Sequence, residues 1–208
     1  MKRVYKMSEH YYSKQPHSQL KTDQIECTLR NHTFTFTTAS GVFSKRSVDF
    51  GSQLLIETFQ EPEISGPILD LGCGYGPIGI SLAKTFKDRT ILMVDINERA
   101  ISLTKKNIAQ NNVDNAKALL SEGFANVEES NFAAIVTNPP IRAGKKIVYP
   151  MIEESQSRLQ LGGELWVVIQ KKQGAPSFQR FLSTLFSKVT VENRRKGYYI
   201  FRAVKEDN

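Results

Sequence analysis

Two cysteines, three histidines and one tryptophan are all that the 208 residues hold of those types, and each scarcity removes a class of structure. Cys27 and Cys73 lack the short spacing of a thiolate metal pair, and two cysteines cannot staple a disulfide framework. His10, His17 and His32 all precede the patterned part of the chain, so no metal site is expected. No apolar run reaches the ~18 residues of a membrane helix, and no charged-then-apolar leader opens the sequence. Neither a membrane span nor secretion is expected, and the cytoplasm is the default location. Internal repeats and long linkers are missing as well.

What is present is a basic chain of one-domain size, with a formal net charge of +7 that is unevenly spread. Residues 1–50 carry 8 Lys and Arg against 4 acids, residues 51–141 carry 7 against 11, and residues 142–208 carry 13 against 6. A mildly acidic middle is thus flanked by basic segments. That distribution suits flanks that meet a polyanion, the competing account being a solvated basic surface.

Residues 1–22 are polar, carry Tyr5, Tyr11 and Tyr12, and are interrupted by Pro16, so they read as an N-terminal arm. One domain follows over 23–208, with a hairpin and lead-in segment at 23–60 and a core at 61–208. Ile25 to Leu29 and Thr33 to Thr37 alternate around Asn31-His32, which predicts a β-hairpin beside the main sheet. Leu54–Phe59 reads as a helix. Strands Ile68–Leu71, Thr90–Asp95, Ala116–Leu120 and Phe132–Thr137 then alternate with helices Ile78–Phe86 and Glu98–Asn111. A helix at Tyr149–Leu161, a strand at Gly163–Gln170 with Trp166 in the core, and a helix at Phe178–Phe186 come next. A hairpin of Val189–Asn193 and Tyr198–Val204 closes the chain around Arg194-Arg195-Lys196-Gly197, a basic tip that either touches a polyanion or is solvated. The alternation predicts an α/β fold with a parallel sheet covered on both faces.

The organising stretch is Ile68 to Gly79, an apolar run ending in Asp70, glycines at Gly72, Gly74 and Gly76, and Pro77 suited to a first helical turn. Glycine admits positive φ and lets a ligand approach the main chain, so the loop reads as a nucleotide-sized cradle. Gly74 to Gly79 also fits the dinucleotide fingerprint literally. A carboxylate at Asp70 would repel the pyrophosphate of such a ligand. S-adenosylmethionine has no phosphate and carries an ammonium and a sulfonium, which an acidic residue favours. The Asp-Leu-Gly-Cys-Gly-Tyr-Gly run closely resembles motif I of class I methyltransferases. The resemblance implies that Asp70, Gly72 and Gly74 line the methionine end of this cofactor, with Cys73 and Gly76 in the same loop. Asp95 ends the next strand about twenty residues on, where its carboxylate, with Ile96 beside it, can hold the ribose hydroxyls; capping the following helix is the plainer role.

Upstream, Gly-Val-Phe-Ser at 41–44 followed by Asp-x-Gly-Ser-Gln-Leu-Leu at 49–55 resembles the lead-in of the methyltransferase small domain family of ribosomal RNA guanine methyltransferases. This resemblance implies that Phe43 and Ser44 face the target base and that Asp49, Gly51 and Ser52 lie near the methionine end. The residues alone also allow a helix cap at Asp49 or Ser52 with Phe43 and Phe50 in the core. Glu122, Gly123 and Phe124 resemble the adenine-contacting turn of the family, which frequently has Asp where this chain has Glu122; Phe124 either stacks on adenine or joins the core.

Strand Phe132–Thr137 delivers Asn138-Pro139-Pro140-Ile141, where the two prolines fix an extended, preorganised turn. The lone pair of an exocyclic base amine is delocalised into the ring, so the amine is a poor nucleophile. Two acceptors, the Asn138 side-chain oxygen and the Pro139 carbonyl, can take its hydrogens and favour the geometry that attacks a methyl group. The run resembles motif IV of amino methyltransferases, and Ile141 stands where many of them carry an aromatic. Arg142, Lys145 and Lys146 follow at the expected mouth of the site, where RNA phosphates could pass.

The resemblance implies a class I methyltransferase (Rossmann-like) fold with a seven-stranded, mostly parallel sheet, its last strand antiparallel, plus an N-terminal hairpin. It implies S-adenosylmethionine-dependent N2-methylation of a guanine in small-subunit ribosomal RNA by a monomer or homodimer, with the RNA or the small subunit as partner and neither metal nor membrane. The rival readings are an amino methyltransferase for DNA adenine or protein glutamine, and a non-catalytic RNA-binding domain of the same fold.

Overall fold

The computed structural model describes residues 22–42 and 47–207. Of the expected arm only Thr22 is therefore described, and Phe43 and Ser44 lie outside the described residues. Strands β1 (Thr22–Leu29) and β2 (His32–Ala39) form a separate two-stranded sheet. Its turn is Arg30-Asn31, one residue earlier than the Asn31-His32 expected. Both turn residues have positive φ, +48° and +61°, as a two-residue hairpin turn requires. An arginine takes the first position because its guanidinium donates to the carbonyls of Ile56 and Phe59 at the end of α1 (Phe50–Thr58), both at 2.8 Å.

The main chain of elements is β3 (Ile68–Leu71), α2 (Pro77–Thr85), β4 (Ile91–Asp95), α3 (Glu98–Gln110), β5 (Ala116–Leu120), β6 (Phe132–Thr137), α4 (Lys145–Arg158), β7 (Leu159–Gln170), α5 (Ala175–Leu185), β8 (Lys188–Arg195) and β9 (Tyr198–Val204). The strands make one seven-stranded sheet in the order β5-β4-β3-β6-β7-β9-β8, with β9 antiparallel to both its neighbours. Alternation along β7 sends Trp166 and Val168 to the face covered by α1 to α3 and the hairpin, and Leu165, Val167 and Ile169 to the face covered by α4 and α5.

Several boundaries differ from the sequence expectation: α1 begins at Phe50 instead of Leu54, α5 at Ala175 instead of Phe178, and β8 runs Lys188–Arg195 instead of Val189–Asn193. Helix α4 begins at Lys145 instead of Tyr149 and carries Pro150 inside it, so Lys145 and Lys146 occupy an exposed first helical turn rather than a loop. Strand β7 begins at Leu159, and an irregular register between Phe132 and Ala134 of its partner β6 absorbs the Gly162-Gly163 step.

Two polar devices fix the middle of the fold. The free edge of β2 is satisfied by side chains of α3 in place of another strand. Asn107 accepts from the Thr37 amide at 2.8 Å and donates to the carbonyls of Thr37 at 3.0 Å and Tyr75 at 2.9 Å. One turn later Asn111 accepts from and donates to the Thr35 main chain at 3.0 and 2.9 Å. Helical i, i+4 spacing thus matches alternate strand residues. The second device joins β3 to α2: Asp70 Oδ2 accepts from the Gly79 amide at 2.8 Å. Gly79 is needed there, since a Cβ would stand 2.4 Å from Met93. Burial pushes the Asp70 carboxyl up to about 7, with the Gly79 bond opposing the rise and the Asp95 charge adding to it.

Two expectations follow. Replacing Asn107 with Leu strands the Thr37 amide and two carbonyls in a buried place, so chemical denaturation should show a loss of about 2–4 kcal/mol. A folded pKa of about 7 against an ordinary 3.8 means that the proton on Asp70 favours the folded state; this contribution is complete below 3.8 and is lost as pH rises to about 7. Asp70→Asn keeps an acceptor for Gly79 and removes the titration. Its stability relative to the native chain should therefore rise across that interval in urea unfolding, and parallel curves would refute this account.

Candidate functional site

The strand order reverses at β3, since β4 and β5 extend to one side of it and β6 to the other. The loops leaving the carboxyl ends of β3 and β6 diverge there into a crevice, the usual ligand position of open α/β sheets. A cavity of about 340 Å³ opens at this point, within the size range of small-molecule sites. A smaller one of about 40 Å³ adjoins it and shares the walls Gly72, Asp95 and Asn138.

The loop after β3 forms the floor. Gly72 and Gly74 have φ of +79° and +59°, and a Cβ on either would project into open space, so the bare main chain faces the cavity. Asp95 at the end of β4 holds the loop by accepting from the Gly74 amide at 2.9 Å, and its other oxygen accepts from Asn97 at 2.8 Å. Burial pushes the Asp95 carboxyl up, and the amides of Asn97, Gly74 and Ile96 oppose this. Thr104 of α3 donates to the Gly74 carbonyl at 2.8 Å. Cys73 faces the cavity as a neutral thiol, because burial first and then the charges of Asp70 and Asp95 push its pKa well up. Asp70 does not line the cavity; it lies fully buried beneath the loop with Oδ1 unpartnered.

The opposite wall is Asn138. Its Nδ2 donates to Ser52 Oγ at 3.0 Å and to the two Asp49 oxygens at 3.3 and 3.4 Å. Asp49 is also the N-cap of α1, accepting from the amides of Gly51 at 3.0 Å and Ser52 at 3.1 Å. A carboxylate only accepts, so the amide end of Asn138 must point toward Asp49 and the oxygen must point away from it. That oxygen accepts no bond among the described residues. Pro140, with φ −75° and ψ 70°, centres a tight turn in which the Ile141 amide donates to the Pro139 carbonyl at 2.8 Å. One lone pair of that carbonyl remains.

The structure thus brings Asp49, Ser52, Gly72, Cys73, Gly74, Asp95, Asn138, Pro139, Ile141 and Arg142 to the main cavity, and Ile96, Gly123 and Pro140 to the smaller one. Gly51 sits behind the wall, where a Cβ would meet the Tyr198 ring at 2.9 Å. Gly76 caps α2, Glu122 is exposed, and Phe124 is buried in the core beneath the Arg158 guanidinium. Lys145 and Lys146 lie outside both cavities. No group of His, Cys, Asp or Glu among the described residues is arranged to hold a metal.

Sequence reasoning missed Tyr75, Asn97, Gln170, Lys172 and Tyr198 in the main cavity and Met151 in the smaller one. Gln170 ends a strand at the carboxyl edge, which is a readable signal. Tyr198 enters only because β9 runs antiparallel and pairs it with Gln170. Tyr75 keeps its hydroxyl buried and unpartnered.

Comparison with known proteins agrees with this geometry. The family model described as methyltransferase small domain matches residues 33–202. The uncharacterized protein YbxB of Bacillus subtilis (strain 168) is 56% identical over 200 residues, covering 96% of this chain and 100% of that protein. Ribosomal RNA small subunit methyltransferase C of Actinobacillus pleuropneumoniae serotype 7 is 39% identical over 132 residues, covering 61% of this chain but 40% of that protein. The solved T. thermophilus 16S rRNA N2 G1207 methyltransferase (RsmC), in complex with AdoMet and guanosine, superposes with a TM-score of 0.80 at 27% identity, covering 92% of this chain and 52% of that one. The chain therefore spans about half or less of the length of these two named methyltransferases. With the matched span enclosing the glycine loop, Asp95 and Asn138, the chain belongs to the methyltransferase small domain family.

Proposed function

We propose that this chain transfers a methyl group from S-adenosylmethionine to the exocyclic N2 amine of a guanine in small-subunit ribosomal RNA. The observation that carries the reading is Asn138, whose donor end is tied to Asp49 and Ser52 while its acceptor end is left for a ligand in the cavity that the glycine loop floors.

The cavity suits this cofactor better than a dinucleotide. The amide of Gly79, third residue of α2, which a pyrophosphate would use, is already taken by Asp70. The uncovered main chain at Gly72 and the carboxylates of Asp49 and Asp95 offer acceptors to an ammonium and a sulfonium. Asp95 retains lone pairs for ribose hydroxyls, and the smaller cavity, between Ile96, Gly123, Pro140 and Met151, presents apolar faces to an adenine ring. When bound, S-adenosylmethionine supplies an electrophilic methyl group. Asn138 Oδ1 and the free lone pair of the Pro139 carbonyl accept from the target amine and hold it in the tetrahedral geometry of a nucleophile. No strong base is required if the proton leaves after transfer, and positioning supplies most of the rate. Ile141 gives the base an apolar contact, and Arg142 stands at the mouth for a phosphate. Two similar proteins named for small-subunit ribosomal RNA methylation support this choice of substrate.

Asn138→Ala should abolish methyl transfer while S-adenosylmethionine affinity, by calorimetry, stays within a few-fold, because the Asn138 oxygen serves the amine. Loss of cofactor binding in step with activity would assign Asn138 to the cofactor instead. Binding of a nicotinamide dinucleotide in preference to S-adenosylmethionine would overturn the reading altogether.

A further inference from the structure

Eight exposed cations follow β6, β7 and β8 at the carboxyl edge of the sheet, and none of them has a carboxylate partner among the described residues. Three follow β6: Arg142 in the turn after Asn138, and Lys145 and Lys146 in the first turn of α4. The other five lie across the sheet. Lys171 and Lys172 leave the end of β7, and Arg194, Arg195 and Lys196 form the tip between β8 and β9. The ion pairs Arg89–Glu61, Arg158–Glu154 and Arg202–Glu164 lie elsewhere. Around the shallow cavity by the starts of β3 and β4, at the opposite edge, the balance reverses, with Glu61, Glu63, Asp88 and Glu129 beside Arg89.

The five distant cations sit on a built ledge. The Lys171 amide donates to the Gly197 carbonyl at 2.7 Å, which ties the turn after β7 to the β8–β9 tip. Tyr198 packs on Phe50 with ring centroids 5.6 Å apart, and the Lys196 ammonium lies 4.7 Å from the Phe50 ring. The ledge is thereby fixed to the start of α1, next to the Asp49 that orients Asn138. Half-buried Tyr198 lines the cavity together with Lys172, so an aromatic face stands between the tip cations and the site. Cations beside an aromatic platform are the pattern that holds single-stranded nucleic acid.

We propose that this ledge is a second phosphate-binding surface for RNA, so that a strand delivering its base to Asn138 runs from the first turn of α4 across the cavity mouth to the β8–β9 tip. Three strand spacings, about 14 Å, separate the ends of β6 and β8, which is about four phosphates of a stacked strand. The two cation groups therefore grip different phosphates, and the base between them is the one presented to the cavity. The inference rests on RNA being the substrate.

The test is fluorescence anisotropy of a labelled 30-nucleotide single-stranded RNA over a salt series. Combined Arg194→Gln, Arg195→Gln and Lys196→Asn removes the tip charges, asparagine suiting the φ of +48° at position 196. A control of equal charge loss, Lys105→Gln, Lys106→Gln and Lys117→Gln, sits on α3 and β5. The tip variant should bind RNA more weakly, with the slope of log affinity against log salt reduced by about 2, and the control should match the native chain. S-adenosylmethionine affinity should not move in either, and both variants should stay folded by thermal unfolding, the tip variant losing only the exposed Lys196–Phe50 and Arg194–Tyr199 contacts. An unchanged slope in the tip variant, or an equal loss in the control, overturns the ledge and leaves the substrate reading standing. A native chain that ignores RNA but binds DNA of the same sequence or anionic vesicles overturns both.

Discussion

The hydrogen bond from the Gly79 amide to Asp70 decides what the glycine loop can hold. It draws the start of α2 against β3 so closely that only a glycine fits above Met93. It also fills, from inside the protein, the helix amide that a phosphate would claim from outside. The loop above is then free to expose its main chain at Gly72 and Gly74, and three further contacts steady it from the far side: Asp95 on the Gly74 amide, Thr104 on the Gly74 carbonyl and Asn107 on the Tyr75 carbonyl. Burying Asp70 raises its pKa toward neutrality, and the structure tolerates this because the carboxylate sits where the positive end of α2 faces it.

The second constraint concerns the two unlike ends of a carboxamide. Asn138 by itself could present either a donor or an acceptor to a ligand. The Asp49 carboxylate resolves the choice, and Asp49 is in turn held by capping α1. The lead-in segment before the core thus sets the orientation of a side chain 89 positions later. This arrangement explains why the family lead-in and the Asn-Pro-Pro turn occur in one chain: the first sets the polarity of the second.

Much of this was legible in sequence for a physical reason. Strands buried on both faces read as apolar runs ended by polar residues, so β3 and β6 have the limits expected, and the partly buried β5 and β9 match theirs as well. The start of α4 was hidden because a proline suits the first turn of a helix, which favours a start at Tyr149, whereas Pro150 is accommodated one turn inside a helix that begins at Lys145. Asn107 and Asn111 carry low helix propensity and read as surface residues, yet both are buried as substitutes for a strand. Asp70 was expected to line the cavity and instead lies beneath the loop, which sequence could not distinguish because a strand-end carboxylate can point either way. Tyr198 and Gln170 reach the site through the pairing of β7 with β9, a fact of topology rather than of motif.

The central claim is that an acceptor at Asn138 meets the N2 amine of a guanine at a cavity built for a sulfonium cofactor. The most direct measurement incubates the chain with S-adenosylmethionine carrying a labelled methyl and, in parallel, naked small-subunit RNA, assembled small subunits, DNA and total protein. Nucleoside and amino-acid digests are then resolved by mass spectrometry. The account predicts label in N2-methylguanosine from the RNA or the subunit. Label in N6-methyladenine or methylglutamine instead, or in no product while the cofactor binds normally, would contradict it.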